Sequence, residues 1–205
     1  DVYKRQGSTI ASNSTSNAGD VKLTNNATIN TFGVSTAAII AQSIGGGGGA
    51  SATSAGDSIR LGAISTAADS ATLPIIKSGN VSVTNTQNLS TNALGSVGLL
   101  AQSIAGGGGY VAQSGNKSNY AVVYGSNGNI NAAAADVSVD NTGDQITTSA
   151  NSSPALVAQS IGGGGGFALL TGSGTGTTQI GSKNNSGTST AGNVKVTVNS
   201  LLQTQ

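Results

Sequence analysis

Asp136, Asp140 and Asp144 form the one acidic cluster in the chain. Paired carboxylates are the working groups of many sugar-cleaving enzymes. In an extended segment Asp136 and Asp140 project from the same face, but about 13 Å apart. That is too far to share a proton or a single metal ion, so Asp136 reads instead as a strand-end cap matching Asp20. The chain has no His and no Cys, which removes the usual general base, thiol nucleophile and transition-metal ligands. Ser43, Ser103 and Ser160 recur at repeat spacing without a partner base, and they read as turn or stacking residues. The glycine runs Gly45–Gly49, Gly106–Gly109 and Gly162–Gly166 invite a phosphate-loop reading. That motif needs Gly-Lys-Ser/Thr, whereas Ala50-Ser51, Tyr110-Val111 and Phe167-Ala168 follow here. A calcium-binding nonapeptide needs Asp inside the glycine phrase, and none is there. The residues therefore assign no catalytic, cofactor-binding or metal position, and no cofactor.

The same residues carry a repeat. Ala-Gln-Ser-Ile begins at Ala41, Ala101 and Ala158, at spacings of 60 and 57, and each copy leads into a glycine run. Val21, Val81, Val137 and Val194 open a second recurring phrase at spacings of 60, 56 and 57. A third and weaker phrase is Ile59-Arg-Leu-Gly62, Val122-Val-Tyr-Gly125 and Thr178-Gln-Ile-Gly181. Self-similarity at a long fixed period marks a chain that stacks one unit repeatedly.

Alternation in Val21/Leu23, Val81/Val83 and Val137/Val139, with Lys22, Ser82 and Ser138 between, argues for strands. The chain has no Glu and no Met. Only Ala132–Ala135 suggests a helical turn, and it is too short to stand alone. The fold class expected is all-β: a right-handed parallel β-helix, or solenoid. Leu61 lies 20 residues after Ala41 and 20 before Val81, so coils of about 20 residues in a three-coil super-repeat of 56–60 are predicted. Ten such coils would make a rod roughly 45 Å long, and successive glycine runs would lie three coils apart. Val21, Leu23, Ile39, Leu61, Val81, Val83, Leu99, Val137, Val139, Leu156 and Val194 should point inward. The glycine runs fit either a tight corner with positive φ or a groove filled by a neighbouring coil. The variable residue after each run (Ala50, Tyr110, Phe167) suggests an exposed or tolerant position.

Charged residues are 7% of the chain and aromatics 3%, against about 25% charged in ordinary globular domains. Periodic placement of the 36% hydrophobic residues argues for order rather than a disordered Gly/Ser-rich chain. Residues 1–6 resemble the translation of a transposase adapter used in sequencing libraries, and residues 7–205 read as one continuous array. Setting Asp1, Lys4 and Arg5 aside from seven acids and eight bases leaves six of each, so no basic excess points to nucleic acid. No apolar run approaches the roughly 20 residues of a spanning helix. Without an initial Met or signal-peptide pattern, and stopping in a fourth valine phrase, the chain reads as a fragment of a longer one.

The stretches Ile39–Gly49, Leu99–Gly109 and Leu156–Gly166 each run from an aliphatic pair into Ala-Gln-Ser-Ile and glycines. They alternate with Gly79–Asn85 and, in part, Gly192–Thr197. This pattern resembles the repeats of bacterial autotransporter (type V secretion) passenger regions. Ala105, in place of the first glycine of the second run, and Asp140, in place of the usual Thr, depart from it. The resemblance implies a β-helical passenger at the bacterial cell surface, held at the outer membrane by a C-terminal barrel that lies outside these residues. The function expected is a non-enzymatic stalk, adhesive or self-associating, whose partner is an unknown surface ligand or another copy. The alternative is a carbohydrate-active β-helix enzyme, with its site mostly outside these residues or at Asp136/Asp140.

Overall fold

The structure, a computed structural model, describes residues 3–6, 9–54, 58–67, 73–114, 120–171 and 176–205. All regular secondary structure in them is strand, and every pairing between strands is parallel. The chain is a parallel β-solenoid in which each recurring phrase stacks on its own next copy. A valine sheet is made of Val21–Asn25, Val81–Asn85, Val137–Asn141 and Val194–Val198. A threonine sheet follows it, made of Ile29–Thr31, Leu89–Thr91, Gln145–Thr148 and Leu201–Thr204. The central sheet contains Ala37–Ile44, Val97–Ile104 and Leu156–Ile161.

Beyond each glycine run lies a return sheet of Gly48–Ser54, Gly108–Ser114 and Gly165–Thr171. Next comes a far sheet of Tyr3–Gln6, Ser58–Leu61, Tyr120–Tyr124 and Gly176–Ile180. A closing sheet of Thr15–Asn17, Ile75–Lys77, Asn131–Ala133 and Ser189–Thr190 completes the circuit. Tyr3–Gln6, inside the adapter-like segment, pairs in register with Ser58–Leu61.

One turn therefore takes the whole long repeat, and the expected short coil does not occur. Val81 pairs directly with Val21 and Val137. Leu61 pairs with Gln6 and Tyr124, in a different sheet from Val81. The physical reason is side-chain matching between neighbours. Asn stacks on Asn, Gln on Gln and a bare glycine arc on another only when strands one full repeat apart are paired. An offset of a third of the repeat would leave these groups facing unlike neighbours. Sheets of up to four strands advance only about 14 Å along the axis, well short of the expected rod.

The interior is layered rather than a single hollow. One face of the central sheet, with Ile39, Ala41, Leu99 and Ala101, packs on Val81, Val83, Val137, Val139, Leu89 and Ile146 of the valine and threonine sheets. Leu100, on the opposite face, packs with Tyr110 and Ala112 of the return sheet. Val111 faces the other way, onto Ile59, Leu61, Val122 and Tyr124 of the far sheet. Val97–Ile104 is thus buried along its whole length, which explains why it reads as a nearly continuous apolar run rather than an alternation. Most residues expected inside are there, with Val21, Leu23 and Leu156 partly buried against the same core. Val194 aligns with the buried Val137 on the inward face but is 46% exposed, because no described strand stacks on the outer edge of its own.

Candidate functional site

The glycine runs are corners, and they stack on one another. At each, the chain leaves the central sheet and doubles back into the return sheet, placing two strands face to face. Gly106, Gly107, Gly108 and Gly109 have φ of +90°, +83°, +137° and +136°, conformations that cost an L side chain dearly. The stacking is also too close for a side chain. A Cβ on Gly106 would lie 2.8 Å from the carbonyl carbon of Gly163, and one on Gly108 would run into the carbonyl oxygen of Gly165. Gly108 pairs with Gly48 on one side and Gly165 on the other, contrary to the expected separation of three coils.

The position after each run is not generally exposed. Tyr110 is buried, and its ring stacks on that of Phe167 at 6.1 Å and 10°, while Ala50 alone of the three is exposed. Burial pushes the Tyr110 hydroxyl up to about 12. Burial also raises Tyr124, with the neighbouring Tyr110 adding to the effect and a backbone hydrogen bond at Val111 opposing it.

The recurring serines bridge turns. Ser43 Oγ donates to the Gly19 carbonyl at 2.7 Å and accepts the Gly79 N–H at 2.8 Å. Ser103 Oγ does the same between Gly79 O, at 2.9 Å, and Ala135 N, at 3.1 Å, and lies 2.8 Å from Ser78 Oγ. Ser160 repeats the bridge between Ala135 O and Gly192 N, both at 2.8 Å. Each hydroxyl fills a gap in the backbone ladder where the closing sheet gives way to the valine sheet, satisfying groups that would be costly to leave unpaired.

Two amide ladders run along the axis. Gln42 Nε2 donates to Gln102 Oε1 at 2.6 Å, and Gln102 Nε2 to Gln159 Oε1 at 2.6 Å. Gln102 is fully buried. Asn25 Nδ2 donates to Asn85 Oδ1 at 2.7 Å and Asn85 Nδ2 to Asn141 Oδ1 at 2.6 Å, while Asn141 Nδ2 reaches Ser200 Oγ. Asn25 and Asn85 also close their own corners by donating to Ala27 O and Gln87 O. From the sequence these glutamines stand only in the recurring Ala-Gln-Ser-Ile phrase and these asparagines only at strand-closing corners, not as ladders. Their signal is there all the same: one polar residue recurring at a fixed place in an otherwise apolar phrase.

Asp136 belongs to a column with Asp20, Asn80 and Asn193. Asp20 Oδ1 accepts the Asn80 N–H at 2.7 Å, Asn80 Oδ1 accepts the Asp136 N–H at 3.2 Å, and Asp136 Oδ1 accepts the Asn193 N–H at 2.7 Å. This is the capping role read from the sequence. Asp140 sits in the valine sheet between Thr84 and Thr197, exposed like Asp136 and Asp144. Among the described residues, no three acidic side chains converge as a metal site would require. No helix among them is long and apolar enough to cross a membrane, which says nothing of a β-barrel.

A cleft of about 560 Å³ opens at the outer edge of the last turn, lined by Ala150, Asn151, Pro154, Phe167, Leu169 and Gln205 among others. Ser152, which lines it, occupies the corner equivalent to Ser35 and Gly95 of the earlier turns, with φ of 55°, 59° and 68° respectively. No family model, curated protein or solved structure matches the chain.

Proposed function

We propose that this chain is a non-enzymatic structural module, a β-solenoid stalk of an autotransporter-type passenger displayed at the bacterial cell surface, adhesive or self-associating. The observation that carries the reading is how the recurring residues are used. The glycine arcs, the bridging serines and the glutamine and asparagine ladders all serve contacts between one turn and the next. Along the outward face of the valine sheet the residue changes, from Lys22 to Ser82 and Ser138 and then Lys195. A chain whose recurring residues serve stacking while an outward face varies is suited to present that face at a distance from its anchor. We take the winding to be right-handed, the sense favoured by crossovers between parallel strands. The partner is a surface ligand or a second copy, and attachment to the outer membrane is assigned to a barrel outside these residues.

The test is display of the chain, through a heterologous barrel, on bacteria that do not clump. Displaying cells should settle faster than cells carrying the barrel alone, or bind a surface the control does not. Cells indistinguishable from the control in both respects would remove the adhesive reading.

A further inference from the structure

We propose that the outward face of the threonine sheet, with the corner that follows it, binds a neutral carbohydrate. The Phe32 ring is the platform for a sugar, and Asn92 beside it is the hydrogen-bonding rim. The proposal deepens the adhesive reading above by naming the chemistry of its ligand, and it rests on that reading. Phe32 is 76% exposed, Val34 52% and Leu94 39%. These three are neighbours. Past the strand ends the ladder continues, with the Asn92 N–H donating to the Thr31 carbonyl at 3.0 Å and the Ser35 N–H to the Leu94 carbonyl at 2.9 Å. Phe32 therefore stands beside Asn92, and Val34 beside Leu94. Leu94 has a turn on either side, since the Gly95 N–H that follows it donates to the Asn151 carbonyl at 3.2 Å. It is open all the same, so the exposure at this corner is lateral. A turn stacked ahead of Phe32 would meet the edge of its strand and leave the outward face free.

The polar groups around the patch are uncharged. Asn30 and Ser90 are paired neighbours that face outward between better-buried residues on either side. Asn92 is held in place, its Nδ2 donating to Ser90 Oγ at 3.3 Å and to the Thr31 carbonyl at 3.4 Å. Both amide hydrogens are thus engaged within the chain, which leaves Oδ1 to accept from a ligand hydroxyl. Residues 29–36, 89–96 and 146–153 contain no Asp, Glu, Lys or Arg. The valine sheet beside them carries Lys22, Asp140 and Lys195 on its outward face.

A face without charge does not steer ions, so it holds a ligand by apolar contact and hydrogen bonds. A sugar supplies both. One side of a pyranose ring is a sheet of C–H groups that packs flat on an aromatic ring, and its rim is a set of hydroxyls that pair with amides and other hydroxyls. A polypeptide is the poorer match. An extended peptide adds to an open sheet edge, and an amphipathic helix lies in an apolar groove. An outward corner of three apolar side chains offers neither.

The test is biolayer interferometry of the purified chain on immobilised polysaccharides: dextran, mannan and galactomannan as neutral probes, alginate and dextran sulfate as anionic ones. At least one neutral surface should bind the chain. Phe32→Ala should raise the Kd at least about tenfold by removing the stacking ring. Asn92→Ala should raise it as well, and Thr84→Ala, on the outward face of the valine sheet, should leave it unchanged. Circular dichroism checks that each variant is folded. Binding to no neutral surface, binding confined to the anionic ones, or an unchanged Kd for Phe32→Ala overturns the proposal. Sedimentation showing self-association that Phe32→Ala abolishes would assign the patch to a second copy and overturn it too. The assay uses no cells. Displaying cells that bind a surface while the soluble chain binds no polysaccharide would remove only the carbohydrate assignment, and carbohydrate binding by a chain whose displaying cells match the control would remove only the display reading.

Discussion

Ser103→Ala is the sharpest perturbation of the turn-to-turn contacts. The substitution removes one oxygen and adds nothing, so it makes no clash and almost no cavity. It takes away a donor to Gly79 O and an acceptor for Ala135 N, and leaves Ser78 Oγ one partner fewer. Ser103 is fully buried, so water does not readily replace the hydroxyl. Two hydrogen bonds at a net ~1 kcal/mol each, with part of the ~1–3 kcal/mol penalty at the Gly79 carbonyl, while Ala135 N keeps its 3.4 Å bond to Ser78 Oγ, give a loss of about 3 kcal/mol. Ser160→Ala, at the half-buried equivalent position, should lose about 1 kcal/mol because solvent reaches the freed groups. A surface serine changed to alanine usually moves stability by less than about 0.5 kcal/mol. Urea unfolding followed by far-ultraviolet circular dichroism reads the three cases apart. A loss for Ser103→Ala no larger than that surface value, or equal losses at 103 and 160, would refute the reasoning that these hydroxyls complete a buried ladder.

Other outcomes follow from the same geometry. Gly108→Ala combines a φ of +137° with a collision against Gly165, and should cost more than about 3 kcal/mol in the same assay or leave the chain insoluble, beyond the ~1–2 kcal/mol of left-handed strain alone. Ser152→Gly, at a φ of 55°, should be neutral or stabilising by up to about 1 kcal/mol, and a clear loss would show that its side chain is needed. Burial pushes the Tyr110 hydroxyl from its ordinary 10.0 up to about 12. Because the folded value is the higher, its contribution is whole below pH 10 and declines as pH rises toward 12, at up to about 1.4 kcal/mol per pH unit. Tyr110→Phe should lessen that decline and leave the part owed to Tyr124, and an unchanged alkaline profile would rule out Tyr110 as a source.

The sequence discloses the strands and their order better than it discloses what stacks on what. Alternation in Val81/Val83 and Val137/Val139 identifies the inward face. The phrases ending at Gly62, Gly125 and Gly181 fall into register even though Ile59 and Val122 are separated by a longer stretch of chain than the other paired phrases. Coil length is misleading in the sequence because three unlike phrases happen to be spaced about equally. Equal spacing carries no information about pairing, whereas identity of residues at the long period does. The return sheet is hidden for a related reason: Ala50, Tyr110 and Phe167 share little in type, and only the paired backbone shows them to be one column. Recurrence alone marks the serines as stacking residues. Their bridge between Gly79 and Ala135 needs the three-dimensional path, since it joins positions far along the chain on either side of Ser103.

The most direct test of the long turn is an intramolecular crosslink in the cysteine-free chain. Ser82 and Ser138 are paired neighbours on the outward face of the valine sheet, about 4.8 Å apart at Cα and within disulfide reach. Ser82→Cys combined with Ser138→Cys should close a disulfide within one chain without loss of β signal. Lys22→Cys combined with Gln42→Cys, stacked neighbours only if a coil were a third of the repeat, should stay reduced, because Lys22 and Gln42 lie in different sheets. Closure of the 22–42 pair with an open 82–138 pair would contradict the stacking described above.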